Sequence, residues 1–381
     1  MLYYAQACAS HKTAVYLITC SDSPIDQNAF KEIYPNIFVL EGNSITTSFL
    51  GTFKFIKNLF KFSKQITESS SFLFYPSPLV YLEVIALYYL KFRKKRNVFY
   101  ELNEIRKYTS TFQDKLSFKH PMYSIKKIIY QAVFSTLEIA LPYYDGLVCI
   151  STAIKDYGQK FNPSTIRIPI LTNPDLKKEF SNNIYSNKET FNIGFSGSIH
   201  PVKENLLNFF NVLGQLKSNN CTFQLNLCGL IEKDHQTLLL EKTASKLNIN
   251  DCIHYFGMLN QKELSTFLSQ QQLLIIPRGF TLQNNYGFST KLSDYLDHSK
   301  PVLVTDVSDN KLFIEDNVNG FLVPPDDNSK MFEKLKFIIS NYNELEEEIK
   351  VNANTTSRQS FYYKNYSEVL RNFFFKSDIK P

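Results

Sequence analysis

The chain has 381 residues, 44% hydrophobic and 20% charged, with a formal net charge of +6. That length exceeds one ordinary core and implies two domains of roughly 150–200 residues each, and the composition excludes a disordered chain. Six scattered cysteines (Cys8, Cys20, Cys149, Cys221, Cys228, Cys252) form no C-x-x-C pair and no metal-ligand spacing, which favours a reducing, cytoplasmic setting.

Charge is unevenly placed along the sequence. Residues 1–170 hold 20 Lys/Arg against 12 Asp/Glu, whereas residues 171–381 hold 22 against 24. The first half is therefore built to meet something anionic. The apolar span Pro78–Phe92 is about 15 residues long and contains Glu83, too short to cross a bilayer. Met1-Leu2-Tyr3 has neither the basic head nor the long apolar core of a signal peptide.

In chain order, Met1–Ser10 reads as the end of a helix. Buried strands are predicted at Thr13–Cys20, Asn36–Leu40, Ser71–Tyr75, Asn97–Leu102, Gly146–Ile150 and Ile166–Leu171. Helix-period segments lie between them at Phe49–Ile66, Leu79–Phe92 and Met122–Leu141. Strand–helix alternation implies a parallel sheet with crossover helices. In Phe49–Ile66, Phe49, Phe53, Ile56 and Phe60 are expected on one face and Lys54, Lys57, Lys61 and Lys64 on another. With the cations of Lys91–Arg96 nearby, this basic amphipathic helix reads either as a surface that meets an anionic membrane or as a core-packing helix with solvated lysines. No nucleic-acid motif accompanies the charge.

A polar stretch over residues 173–190 reads as a linker, after which the alternation restarts. Strands are predicted at Phe191–Phe195, Phe223–Cys228, Ile253–Phe256, Leu273–Pro277, Val302–Val304 and Phe321–Val323. Helices are predicted at Asn205–Lys217, Gln236–Leu247, Gln261–Ser269, Thr290–His298 and Lys330–Ser340. Ser360–Phe375 is an aromatic, helix-compatible tail. The stretch Leu273–Thr305 is a complete strand–loop–helix–strand unit. Ligands of such sheets bind at the carboxyl ends of the strands. Arg278 and the Asn284–Gly287 segment lie there, with Lys291 and Asp294 on the helix behind, which suits a phosphorylated, sugar-like ligand.

Several segments carry a family likeness. They are Gly194–Gly197 with Lys203, Leu227–Gly229, Tyr255–Gly257, Tyr286–Leu296 with Lys300-Pro301-Val302, Ile314–Asn317, and Asn319–Pro325 with Asp327. In order and spacing, over about 150 residues, they resemble the group-1 (family-4-like) retaining glycosyltransferases. The resemblance implies the α/β GT-B fold, two facing Rossmann-like domains. It places an acceptor-side domain at 1–172, the linker at 173–190, a nucleotide-sugar domain at 191–357, and a tail at 358–381 packing back on the first domain. The family's first strand and glycine loop would lie before Met1, so either the sequence starts too late or the first domain lacks its first strand.

The resemblance also implies roles. The sugar donor is a nucleotide diphosphate, bound without a cofactor or metal, whose departing charge must be countered by cations and helix N-termini. Lys203 occupies the family's lysine position and Ser198 its arginine position, so Arg278 or Lys291 is expected to make up the missing charge. Lys203 and Arg278 are the catalytic candidates. Gly197, Ser198, Tyr286, Gly287, Phe288, Lys291 and Asp294 are the donor-binding candidates, with Asp294 accepting from the ribose hydroxyls. Tyr286 stands where the family has a carboxylate. Asn103 and Glu104 are acceptor-side candidates. The implied activity is sugar transfer with retention to a glycan or lipid-linked acceptor in surface polysaccharide synthesis, in the cytoplasm or on the membrane's inner face. The rival readings are a non-catalytic GT-B scaffold and a nucleotide-sugar 2-epimerase.

Overall fold

A computed structural model describes residues 1–20, 24–25, 29–40, 48–67, 69–76, 80–109, 121–176, 178, 190–231 and 235–375. The chain divides into two compact units, Met1–Leu171 with Tyr363–Pro381, and Thr172–Tyr362. Most of the stretch read as a linker falls outside the described residues.

The first unit opens with helix α1 (Leu2–Cys8). A small sheet follows, in which β1 (Val15–Leu17) pairs in parallel with β3 (Ile37–Leu40). Strand β2 (Phe30–Tyr34) pairs antiparallel with β3, which departs from the all-parallel expectation. Tyr34 and Ile37 pair across a tight turn in which Asn36 takes φ +61°, so no crossover helix is needed. Four of the five β2 residues are exposed, so no buried apolar run marks the strand in the sequence.

The second sheet of this unit is parallel, in the order β4 (Ser71–Phe74), β5 (Asn97–Leu102), β6 (Gly146–Cys149), β7 (Thr165–Arg167). Helix α2 (Phe49–Phe62) precedes it. Its crossovers are α3 (Val80–Tyr88), prolonged by a π turn over Tyr89–Arg93, then α4 (Pro121–Ala140) and α5 (Thr152–Gln159). Tyr4, Ala7 and Cys8 of α1 join Leu370, Phe373 and Phe374 of the C-terminal helix Ser367–Phe374, and together they pack on Phe99, Val148 and Ile168.

The apolar face of α2 is not the expected one. Thr52, Ile56, Leu59 and Phe62 are buried, whereas Leu50 is 74% and Phe53 65% exposed. Phe53 therefore stands on the solvent side with Lys54, Lys57, Lys61 and Lys64, all exposed. Nor is Lys91–Arg96 a uniform cationic patch. Arg96 is buried and donates to the carbonyls of Ser63, Ile66 and Thr67, closing the end of α2, while Lys91 pairs with Asp145.

The second unit holds one six-stranded parallel sheet of β8 (Phe191–Ser196), β9 (Phe223–Cys228), β10 (Ile253–Gly257), β11 (Leu273–Ile276), β12 (Val302–Thr305) and β13 (Phe321–Val323). Its spatial order is β10-β9-β8-β11-β12-β13. That is the doubly wound Rossmann order, which reverses direction between β8 and β11. All four residues of β11 are wholly buried, and each contributes about 1.5–3 kcal/mol by leaving water.

Flanking this sheet are α6 (Leu206–Ser218), α7 (His235–Lys246), α8 (Gln261–Gln270), α9 (Leu282–Tyr286), α10 (Thr290–Asp297), α11 (Asn310–Phe313) and α12 (Asn328–Ser360). A capping box starts α8: Asn260 accepts from the Glu263 N–H, and Glu263 accepts from the Asn260 N–H. The last long helix was expected to end at Ser340 but continues to Ser360. Met331, Leu335, Ile338, Tyr342, Ile349, Ala353 and Ser357 keep one face buried along its whole length. Polar composition over its second half hides that stripe from a local reading.

Candidate functional site

The second unit's topology puts the carboxyl ends of β8 and β11 side by side, and the candidate residues gather there. Ser196 closes β8, and its N–H donates to the Tyr295 hydroxyl at 2.8 Å, which ties α10 to the strand. Next comes Gly197 at φ +126°, with Gly229 at φ +138° beyond β9. A Cβ on Gly229 would stand 1.9 Å from the Gly197 carbonyl oxygen, so only glycine lets the two strand ends approach. Ser198 is exposed on this turn.

Glu204, which no motif in the sequence marks, is the centre of the charge arrangement. It is 2% exposed and accepts two hydrogen bonds from Arg278, Nη2 to Oε1 at 2.9 Å and Nε to Oε2 at 3.1 Å. The Lys291 ammonium lies 3.0 Å from the same Oε1 and 4.9 Å from the centre of the Phe195 ring. Burial alone would raise the Glu204 carboxyl, but Arg278 and then Lys291 outweigh it and hold the pKa at about 2. Burial lowers Lys291 to about 8, with Glu204 raising it and Arg278 and Lys203 lowering it. One buried carboxylate thus holds two cations, one from the loop after β11 and one from the first turn of α10.

Lys203 stands in the turn before α6, half-buried, and its ammonium has no protein partner among the described residues. Its backbone is fixed. The Lys203 N–H donates to His200 Nδ1 at 3.0 Å, and its carbonyl accepts from Asn284 Nδ2 at 3.0 Å. Asn284 is 2% exposed and donates to the Gly279 carbonyl as well, which locks the β8 and β11 loops together.

Along the rest of the Asn284–Asp294 segment the candidates separate. Tyr286 ends α9 and is half-buried. The Gly287 N–H donates to the Gln283 carbonyl at 2.9 Å, so it is not free for a ligand. Phe288 is 6% exposed, and its ring packs on Phe313 and Phe361, so only its backbone can face a ligand. The start of α10 has no side-chain cap, and Ser289 Oγ is buried without a partner. Its first-turn N–H groups are the donors an anion meets at a helix N-terminus. Asp294 follows Lys291 by one turn. Its side chain opens to solvent, yet enough protein crowds the carboxyl that desolvation, with Asp297 next, raises it to about 6.

Within the first unit, Asn103 is half-buried and Glu104 exposed. Glu104 lines a small pocket with Leu102, Arg106, Lys107, Glu138 and Tyr157. The buried carboxylates of this unit lie elsewhere. Glu83 accepts from the Tyr100 hydroxyl at 3.0 Å and pairs with Arg106. Burial raises Glu101 to about 7. Among the described residues no group of three or more His, Cys, Asp or Glu could hold a metal ion, and no helix is long and apolar enough to cross a membrane. The six cysteines form no disulfide with one another.

Residues 176–356 match the family model described as "Glycosyl transferases group 1". Among solved structures, the sucrose-phosphate synthase of Thermosynechococcus elongatus superposes with a TM-score of 0.72 at 14% identity, over 98% of this chain and 92% of that one. Anabaena HepE in complex with UDP-glucose gives 0.63 at 16% identity, over 84% and 80%. A glycosyltransferase of Rickettsia africae gives 0.62 at 14%, over 90% and 86%. No curated protein matches. At these identities the structural likenesses show the fold alone, and that fold is GT-B.

Proposed function

We propose, from the match of residues 176–356 to the group 1 glycosyl transferases, that the chain moves a sugar from a nucleotide-diphosphate donor to a glycan or lipid-linked acceptor, with retention. The observation that carries this reading is the convergence of Lys203, Arg278, Lys291 and the α10 N-terminus on the switch point of one Rossmann sheet. A departing diphosphate needs that arrangement, because charge developing on it is stabilised by donors already in place.

Each residue then has a task. Lys203, whose ammonium has no protein partner among the described residues, approaches the diphosphate directly. Arg278 offers Nη1, while its Nε and one Nη2 hydrogen are held by Glu204. Lys291, against the Gly197–Ser198 turn, supplies the cation that Ser198 does not. The α10 N-terminus receives a phosphate through its N–H groups and Ser289. Asp294 accepts from the ribose hydroxyls, as an ionised carboxylate one helical turn away is able to do. These cations perform the charge neutralisation that other transferases assign to a metal. HepE has been solved with UDP and with UDP-glucose, which favours a uridine donor here. Asn103 and Glu104 line the acceptor side.

The proposed setting is the cytoplasmic face of a membrane, in surface polysaccharide synthesis. Support comes from α2, where exposed Leu50 and Phe53 adjoin four exposed lysines, a combination suited to an anionic lipid surface. A non-catalytic scaffold is the second reading, favoured by Ser198 and Tyr286, which stand where the family has an arginine and a carboxylate. Incubating purified protein with UDP-, GDP- and ADP-sugars and measuring nucleotide release separates the two. Release from one donor class is expected. Binding of a nucleotide diphosphate without release or transfer supports the scaffold, and no binding at all removes both readings.

A further inference from the structure

We infer that Glu204 is a positioning residue, whose buried carboxylate holds Arg278 and Lys291 together as one fixed unit facing the donor's diphosphate. The inference rests on the donor site proposed above and concerns a residue that takes no direct part in it. Glu204 comes from the loop after β8, Arg278 from the end of β11 and Lys291 from the second residue of α10. Three separate elements therefore meet on one carboxylate at the switch point, and both its oxygens are occupied.

An acid beside an anion site weakens the field there, so a counterweight is needed to explain it. That counterweight is repulsion. Without Glu204, Arg278 and Lys291 would be buried side by side, with Lys203 close by and no opposite charge between them. Arginine keeps its proton in proteins. Lysine gives its proton up when buried. Lys291 would then lose its charge and its reason to stay against Gly197. With Glu204 present the group carries one net positive charge in a fixed place, and Lys203 adds a second.

The groups facing Lys291 are Glu204 and Lys203 from the β8–α6 turn and Arg278 from the β11 loop. Burial already brings Lys291 to about 8, and Glu204 is what raises it. Removing Glu204 therefore moves its deprotonation to lower pH, whereas a role confined to holding the fold would leave the pH dependence in place.

The test is calorimetric binding of UDP, GDP and ADP from pH 6.5 to 9.5 to the full chain and to Glu204→Gln, Lys291→Arg and the double variant. Wild-type affinity for the preferred nucleotide is expected to fall above about pH 8. In Glu204→Gln the fall begins about one pH unit or more lower, and at pH 7.5 binding is about tenfold weaker or more. Lys291→Arg removes the fall, and it stays absent in the double variant. A folded Glu204→Gln protein whose affinity falls at the wild-type pH overturns the inference. Should that variant not fold, Glu204→Asp replaces it: the shorter acid draws the cations back and weakens binding several-fold, and unchanged affinity overturns the idea. Failure of the wild type to bind any nucleotide diphosphate refutes the donor site itself, a result distinct from either.

Discussion

Lys291 lies across Gly197, its Cε 2.6 Å from the point where a Cβ on residue 197 would stand. The same glycine sits at φ +126°, so space and backbone both demand it. A methyl at this position displaces the ammonium from the turn where a donor phosphate is expected. Gly197→Ala should lower melting stability by about 1–3 kcal/mol, from the strained backbone. It should also weaken nucleotide binding about tenfold or more, the loss of one charge-assisted hydrogen bond. Equilibrium denaturation and calorimetry measure the two effects separately.

In the proposed donor site, Asp294 is expected to give nucleotide binding an acid limb. Its carboxyl is raised to about 6 in the folded chain from a usual value of 3.8. The folded protein thus holds the extra proton between those values, and this group's contribution to stability falls as pH rises through that window. Binding moves the opposite way, because the ribose hydroxyls need the ionised acceptor. Nucleotide affinity should rise from pH 5 to 7 in the wild type. Asp294→Asn should lose that rise along with about tenfold in affinity, and Asp294→Glu should keep most of both.

Glu204 makes acid sensitivity a property of the second unit. Its folded pKa is about 2, below the usual 4.5, so its stabilising contribution is complete above pH 4.5 and disappears as pH falls toward 2. Melting curves between pH 6 and 2.5 should show a steeper loss for the wild type than for Glu204→Gln, with the variant less stable at neutral pH. Parallel curves would mean the buried charge is not what holds these loops.

Asn284 joins the Lys203 and Gly279 carbonyls through one amide group. Asn284→Ala leaves both buried acceptors without their donor and should cost about 1–3 kcal/mol. Amide hydrogen exchange should rise in the two connected loops, 197–205 and 277–285, and remain unchanged in β9 and β10. Uniform loosening of the whole sheet would argue against a local link.

On the first unit, Leu50 and Phe53 with Lys54, Lys57, Lys61 and Lys64 predict sedimentation with anionic vesicles and little with neutral ones. Each lysine near such a surface contributes about 1 kcal/mol, so changing all four to Gln should reduce binding at least a hundredfold. Leu50→Ser with Phe53→Ser should weaken it further at high salt, where the charge is screened. Equal binding to neutral vesicles would count against an anionic partner.

Much of this was legible along the chain because it is local. The Leu273–Ile276 run and the turn around Asn319-Gly320 depend on near neighbours, and they appear where expected. The first half departs more because its signals are weaker. β2 is a short, exposed edge strand whose FKEIY sequence carries no apolar run, and its turn depends on Asn36 adopting positive φ. Helical spacing predicts Phe53 on one face with Ile56 and Phe60, whereas α2 packs through Thr52, Ile56, Leu59 and Phe62 and leaves Phe53 exposed.

The sequence by itself determined the alternation of strand and helix, the division of charge between its halves, and the family motif that Lys203, Lys291 and Asp294 belong to. Only the tertiary structure decided which charges meet. Glu204 and Arg278 are 74 residues apart, and no period or spacing connects them. They become neighbours because β8 and β11 lie side by side at the reversal of the sheet, and a buried acid there must find cations from whichever loops reach it.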